Sequence, residues 1–296
     1  MLRWILRKSK PDSIYASEEV RSRLHRIYDE KMLEWPVPFE DLEIETKYGR
    51  VHVVVCGREW MPPLLLLHAS GVSSWSWKYN VEGLSDAYRL YAIDLMGDAG
   101  KSEFRSLSHV FRSGKEQADL YAEITDSLGI STAFVVGASE GGFIATNYAL
   151  YHSERVEKLA LIGPMGYSGA VGAIIRIMIT QFFPLRSLQE STFAWAFSRS
   201  SALQEDLGEW FRLVMGSTRP IKVPPLPFSQ EERRSLGVPV LFIFGERDNL
   251  VGDPRRAEAG VKDIPDVTVE ILDAGHLVAA EEPLRTNDLL RGFFGG

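Results

Sequence analysis

Residues Phe134-Val135-Val136-Gly137-Ala138-Ser139-Glu140-Gly141-Gly142 decide the reading of this chain. A short apolar run of strand length passes through a Gly-x-Ser-x-Gly pentapeptide into a stretch that keeps helical character to about Tyr151. Gly137 and Gly141 leave room for a tight, strained corner that lifts the Ser139 hydroxyl out of a sheet, the geometry of a nucleophile elbow. The pentapeptide occurs once in the chain, so the serine has no rival. A plain glycine-rich turn is the competing account, and the position between strand and helix favours the nucleophile.

Outward from this corner the same grammar repeats. Apolar runs at Leu64–Leu67, Leu90–Ile93, Leu159–Ile162, Val238–Phe244 and Val267–Leu272 alternate with helical stretches. Uniformly apolar strands need cover on both faces, which predicts an α/β fold with a mostly parallel central sheet, helices on both faces and right-handed crossovers. Upstream, residues 41–57 alternate in two halves around Tyr48-Gly49 and read as a β-hairpin carrying Cys56, a small buried hydrophobe. Val20, Leu24, Ile27, Tyr28 and Met32 form one helical stripe that stops at Trp35-Pro36. Between the strand ending near Gly163 and the one starting near Val238, about 70 residues carry no clear strand. They hold the helical stretches GAIIRIMITQFFP, STFAWAFSRS and LGEWFRLVMG, with Phe182, Phe183, Phe193, Trp195, Phe197, Trp210, Phe211 and Met215, and end in KVPPLPF. The division that follows is an N-terminal helical extension over 1–36, a core over 37–163 and 236–296, and a helical cap or lid over 164–235.

Open parallel sheets bind ligands at the carboxyl ends of their strands, so the partners of Ser139 belong on the neighbouring loops. A serine hydroxyl needs a histidine to take its proton, and the histidine needs an acid to fix its tautomer. His276, in Asp273-Ala274-Gly275-His276 after Val267–Leu272, stands on a glycine loop at a strand end. His25, His52, His109 and His152 lie on the N-terminal helix, in the hairpin, among polar residues and near a helix end, where packing or surface roles suit them better. Asp248, in Gly245-Glu246-Arg247-Asp248-Asn249, is the chosen acid, with Glu246, Asp253 and Asp273 as alternatives. The oxyanion donors expected are the N–H groups of Glu140, after the nucleophile, and Ser70, in Leu67-His68-Ala69-Ser70-Gly71. His68 is read as organising that loop by hydrogen bonds.

Several chemistries are set aside. Gly97-Asp98-Ala99-Gly100-Lys101-Ser102 lacks the first glycine of a phosphate-binding loop, because position 95 is Leu95. The glycines around Ser139 miss the dinucleotide fingerprint, and neither HExxH nor CxxC occurs, so no cofactor and no metal are expected. With 33 basic and 40 acidic residues the formal charge is −7, and no basic block would compete for phosphate, so no nucleic-acid partner is expected. The sequence is 45% hydrophobic and 25% charged, which fits a folded chain with a large core. The opening MLRWILRKSK is too short in apolar residues for a signal peptide, and no run approaches a membrane span. With one cysteine, the expectation is a cytoplasmic protein without stable membrane insertion. A lipid-surface role through the basic N-terminus and GAIIRIMITQFF is weaker than a buried lid face.

Taken together, HASG, YAIDLMGDAGKS, GASEGG, GERD and DAGH resemble the α/β-hydrolase fold superfamily over roughly residues 40–294, and within it the lid-bearing, cofactor-free, esterase-like serine hydrolases. Ser139, Asp248 and His276 follow the Ser…Asp…His order of that fold. The resemblance implies a carboxylesterase acting through an acyl-enzyme on a small ester with an apolar acyl or alcohol group. Carbon–carbon bond hydrolase, thioesterase, lactonase and iminopeptidase activities share the triad, and a non-catalytic ligand-binding homologue is the reading from outside enzymology. Three departures stand out: Ala69 where the family usually has glycine, one extra residue between the glycines of Asp94–Ser102, and Glu140 directly after the nucleophile. Glu140 is read as a favourable charge at a helix N-terminus, ahead of a role in the pocket that would disfavour anionic substrates.

Overall fold

In the first helix, α1 (Glu18–Met32), the Ser17 hydroxyl accepts a hydrogen bond from the Val20 N–H at 3.3 Å, and Glu18 and Glu19 occupy the first turn. The expected stripe faces inward at Leu24, Ile27, Tyr28 and Met32, while Val20 is only half-buried. These coordinates come from a computed structural model that describes residues 13–167, 176, 179, 180, 183 and 185–295. The basic opening segment, most of GAIIRIMITQFFP and Phe182 lie outside the described residues.

Strands β1 (Phe39–Glu45) and β2 (Gly49–Cys56) form the expected hairpin, with Leu42 opposite Val53 and Glu45 opposite Arg50. Gly49 is obligatory there: its φ is 148°, and a Cβ would stand 2.1 Å from the Glu103 carbonyl oxygen. Cys56 is buried, which pushes its thiol up to about 11. The remaining strands are β3 (Pro63–Leu67), β4 (Arg89–Ile93), β5 (Glu103–Phe104), β6 (Ala133–Ala138), β7 (Val156–Ile162), β8 (Val240–Gly245) and β9 (Val267–Leu272). They order as β1-β2-β4-β3-β6-β7-β8-β9, with β5 paired to β2. Every pairing from β4 to β9 is parallel, and those made by β2 are antiparallel.

The apolar runs are uniform because alternate residues feed two cores. Leu64 and Leu66 join Val136, Ala160, Ile162, Leu241 and Ile243 on one face, whereas Leu65 and Leu67 join Val135, Leu159, Leu161, Phe242 and Phe244 on the other. Helices α2 (Gly114–Ser127) and α3 (Glu140–Tyr151), with Pro254–Val261, cover the second face. Helix α1 and the C-terminal helix Pro283–Gly295 cover the first. One strand departs from the sequence reading: β9 pairs only with β8, and this edge position leaves Ile271 at 37% exposure and tolerates Thr268 and Glu270.

Between β7 and β8 the described residues contain helices α4 (Arg186–Ala196) and α5 (Ser201–Ser217) and no strand. Phe193 and Phe211 pack edge to face at 5.0 Å, and Leu203, Leu207, Trp210 and Val214 enter the first core. Both helices therefore sit over the carboxyl ends of the strands, where Trp210 Nε1 donates to the Gly71 carbonyl at 2.9 Å. Among the described residues no helix is long and apolar enough to cross a membrane.

Candidate active site

Ser139 is the one described non-glycine residue with positive φ, at φ 50° and ψ −110°, a conformation costing roughly 1–3 kcal/mol. The corner is held from both sides. The Ser139 N–H donates to Ile162 O at 2.9 Å, and its carbonyl accepts from Gly142 and Met165 at 3.0 Å each. A Cβ on Gly137 would lie 2.4 Å from Gly141 O, and one on Gly141 would lie 2.2 Å from Leu67 O, so both elbow positions admit only glycine without backbone movement.

The strand ends then bring the distant residues to this corner. His276 Nδ1 lies 2.7 Å from Asp248 Oδ2, with both side chains buried. Asp248 Oδ1 is fixed in turn by the N–H groups of Leu250 at 2.8 Å and Val251 at 3.0 Å. Because a carboxylate only accepts, the pair assigns the proton to Nδ1 and leaves the Nε2 lone pair free. His276 Nε2 is buried and has no hydrogen-bond partner among the described residues. The competing carboxylates are occupied elsewhere: Asp273 pairs with Arg247 at the surface, Asp253 caps Pro254–Val261, and Glu246 is exposed.

The other histidines have partners of their own. His25 meets the Gly100 carbonyl, His109 the Ser106 and Ser108 hydroxyls, and His152 the Asp119 carboxylate. His68 spans its loop, donating from Nδ1 to Ala69 O at 2.8 Å and accepting the Leu95 N–H on Nε2 at 2.9 Å. Burial holds it below the ordinary histidine range, in the neutral form those bonds require. His52 is a buried strut between Asp94 at 3.1 Å and Asp41 at 3.0 Å. Burial alone would raise the Asp94 carboxyl; the bond and charge of His52 and the Lys101 N–H outweigh it and bring Asp94 to about 2. Asp94 also receives the Ser74 N–H at 2.8 Å, and its carbonyl receives the Ser102 hydroxyl at 2.7 Å, so the lengthened Asp94–Ser102 loop is pinned at both ends.

The N–H groups of Ser70 and Glu140 donate to no protein acceptor among the described residues. Their side chains meet at a residue that the sequence did not single out. Lys222 Nζ contacts Ser70 Oγ, Glu140 Oε2 and, at 3.1 Å, Asp98 Oδ2. Burial works against this ammonium, but the two carboxylates hold it above the ordinary lysine range. Glu140 does stand in the first turn of α3, yet its carboxylate is buried on Lys222 and lines neither cavity described next.

Two largely apolar cavities meet at Ser139 and His276, sharing Ala69, Val72, Leu207 and Leu277. One, of about 500 Å³ counting its open part, extends between Trp77, Tyr79 and Ala279. The other, of about 900 Å³ on the same measure, runs under α4 and α5 between Met165, Phe193, Phe197, Phe211 and Met215. The Phe197 carbonyl accepts from His276 N at 2.9 Å and Leu277 N at 3.2 Å, and Trp195 O accepts from Asn249 Nδ2 at 2.7 Å, tying α4 to the loops that carry His276 and Asp248. No cluster of three or more His, Cys, Asp or Glu side chains suited to a metal occurs among the described residues.

Residues 64–289 match the model of the alpha/beta hydrolase family. The chain belongs to that family. This alpha/beta hydrolase is 30% identical over 290 residues to the uncharacterized carboxylesterase nap of Bacillus subtilis, covering 92% of each chain. It is 29% identical over 290 residues to carboxylesterase YbfK of the same organism, covering 95% and 97% of the two chains. Among solved structures, the naproxen esterase of Bacillus subtilis superposes with a TM-score of 0.85 at 28% identity, covering 94% of this chain and 99% of that one. The alpha/beta hydrolase described here is thus a carboxylesterase-like hydrolase.

Proposed function

We propose that the chain cleaves carboxylic esters through an acyl-enzyme on Ser139. One observation carries this reading: a buried His276 whose Nδ1 is held by Asp248 at 2.7 Å and whose unpartnered Nε2 shares both cavities with the strained Ser139. In the first half-reaction Nε2 accepts the Ser139 proton as Oγ attacks the ester carbonyl. Charge develops on the carbonyl oxygen beside the N–H groups of Ser70 and Glu140. Imidazolium, stabilised by Asp248, then protonates the leaving alcohol, and His276 activates water to release the acid.

The stretch 164–235 acts as a cap over the site. Phe193, Phe197 and Phe211 of this stretch and the Trp77–Tyr79 side give the scissile bond an apolar cavity on each flank, which suits esters apolar in both the acyl and the alcohol part. A p-nitrophenyl ester series from acetate to octanoate tests this. Hydrolysis should rise from acetate into the medium chains and vanish in Ser139→Ala. Undiminished hydrolysis in that variant would refute the assignment.

A further inference from the structure

The cluster at Lys222 joins parts of the molecule that ester cleavage must hold in register. Its segment is seated on the core by the Ile221 N–H, which donates to Gly97 O at 2.8 Å, and Gly97 has φ 90° with room for no Cβ, since one would lie 2.2 Å from Ile221 O. From that seat the ammonium reaches Ser70 on the loop after β3, Glu140 on the elbow, and Asp98, whose Oδ2 also accepts the Gly71 N–H at 2.9 Å. The two residues whose N–H groups flank the proposed oxyanion position are therefore bound to each other, side chain to side chain, through one lysine.

Charge gives the arrangement a second consequence. Glu140 and Asp98 set two buried carboxylates on Lys222, one of them on the residue whose N–H is assigned to the oxyanion, and in a poorly screened interior their charge would oppose an anion forming at those N–H groups. The Lys222 ammonium opposes that effect. We propose that Lys222 is a positioning residue for the oxyanion hole, fixing the Ser70 and Glu140 N–H groups and offsetting the carboxylates beside them. This rests on the serine-hydrolase reading above.

The test compares wild type with Lys222→Met, Ser70→Ala and Lys222→Cys, the last before and after alkylation by 2-bromoethylamine. That reagent restores an ammonium on a side chain of the same length. Each form is assayed for kcat and KM on p-nitrophenyl butyrate, and for Ki with an alkyl trifluoromethyl ketone, which Ser139 adds to as an oxyanionic hemiketal. Removing one oxyanion donor outright lowers kcat by roughly 100- to 1000-fold, so displacing donors that remain present should lower it about 10- to 100-fold. Lys222→Met should show that loss with KM within about twofold and Ki raised by a matching factor, and alkylated Lys222→Cys should regain most of it. Ser70→Ala keeps its N–H and loses only the hydroxyl's contacts with Lys222 and the Glu140 carboxylate; a several-fold fall in kcat at constant KM is expected even if Lys222→Met does not fold. The proposal is overturned if Lys222→Met keeps kcat within about threefold of wild type. It is equally overturned if the loss lies in KM alone, if Ki does not follow kcat, or if Ser70→Ala is unaffected while Lys222→Met fails to fold. Failure of the underlying reading looks different: wild type would then neither hydrolyse the ester nor bind the ketone.

Discussion

Replacing Asp248 by asparagine separates geometry from protonation, because the amide can sit in the carboxylate's place in two ways. In one, the amide oxygen takes the Oδ1 position and keeps the Leu250 and Val251 N–H groups, held at 2.8 and 3.0 Å in the native protein. The NH2 then faces His276 Nδ1 at the site of the 2.7 Å contact and forces the proton onto Nε2, so the imidazole cannot accept from Ser139. In the other, the oxygen faces Nδ1 and the useful tautomer survives, but two buried N–H donors lose their acceptor. Each orphan costs about 1–3 kcal/mol, so the second orientation lies roughly 2–6 kcal/mol higher. The first therefore dominates. The variant should fold nearly as stably as wild type while kcat falls by about 10⁴, or roughly 5 kcal/mol of transition-state stabilisation. Stopped-flow acylation with p-nitrophenyl acetate, alongside urea unfolding, measures both quantities. Acylation within tenfold of wild type would show that Asp248 does not set the His276 tautomer.

Three other outcomes follow from the same geometry. Ser139→Gly relieves the φ of 50° and should raise the unfolding free energy by about 1 kcal/mol over Ser139→Ala, read from urea midpoints; equal midpoints would mean the elbow is unstrained. Gly141→Ala must displace the Leu67 and His68 carbonyls, 2.2 and 2.6 Å from the new Cβ, and should cost roughly 3 kcal/mol or more on the same assay. Asp94, lowered from 3.8 to about 2, contributes about 2 kcal/mol that is present above pH 3.8 and lost as pH falls toward 2. His52, raised above 6.5 because Asp94 and Asp41 outweigh its burial, contributes stability present below pH 6.5 and lost as pH rises through its folded value. Asp94→Asn should therefore differ most from wild type between about pH 4 and 6.5, and a Tm difference constant from pH 3 to 8 would contradict this.

The residues brought together at the site were legible in the sequence where the chain announces a strand end with glycine. Ser139, Asp248 and His276 each follow an apolar run, and parallel pairing of β6, β7, β8 and β9 places those ends side by side. The edge character of β9 was less visible, because Val267, Val269 and Ile271 mimic a buried strand while only pairing reveals that one side is open. Lys222 was hidden for a different reason. It lies in the proline-rich KVPPLPF, which has no period, and its partners Ser70, Asp98 and Glu140 are 152, 124 and 82 residues away. Glu140 read alone looked like a helix-end charge; only the fold supplies its counterion. The Phe197 carbonyl that fixes the His276 loop is a backbone group, and side-chain motifs carry no trace of it.

The most direct test of the central claim is mass spectrometry of the intact protein after treatment with a fluorophosphonate, followed by peptide mapping. One adduct is expected, on Ser139, formed rapidly in wild type, slowed by orders of magnitude in His276→Ala and absent in Ser139→Ala. An unmodified wild-type protein, or an adduct on any other residue, would contradict it.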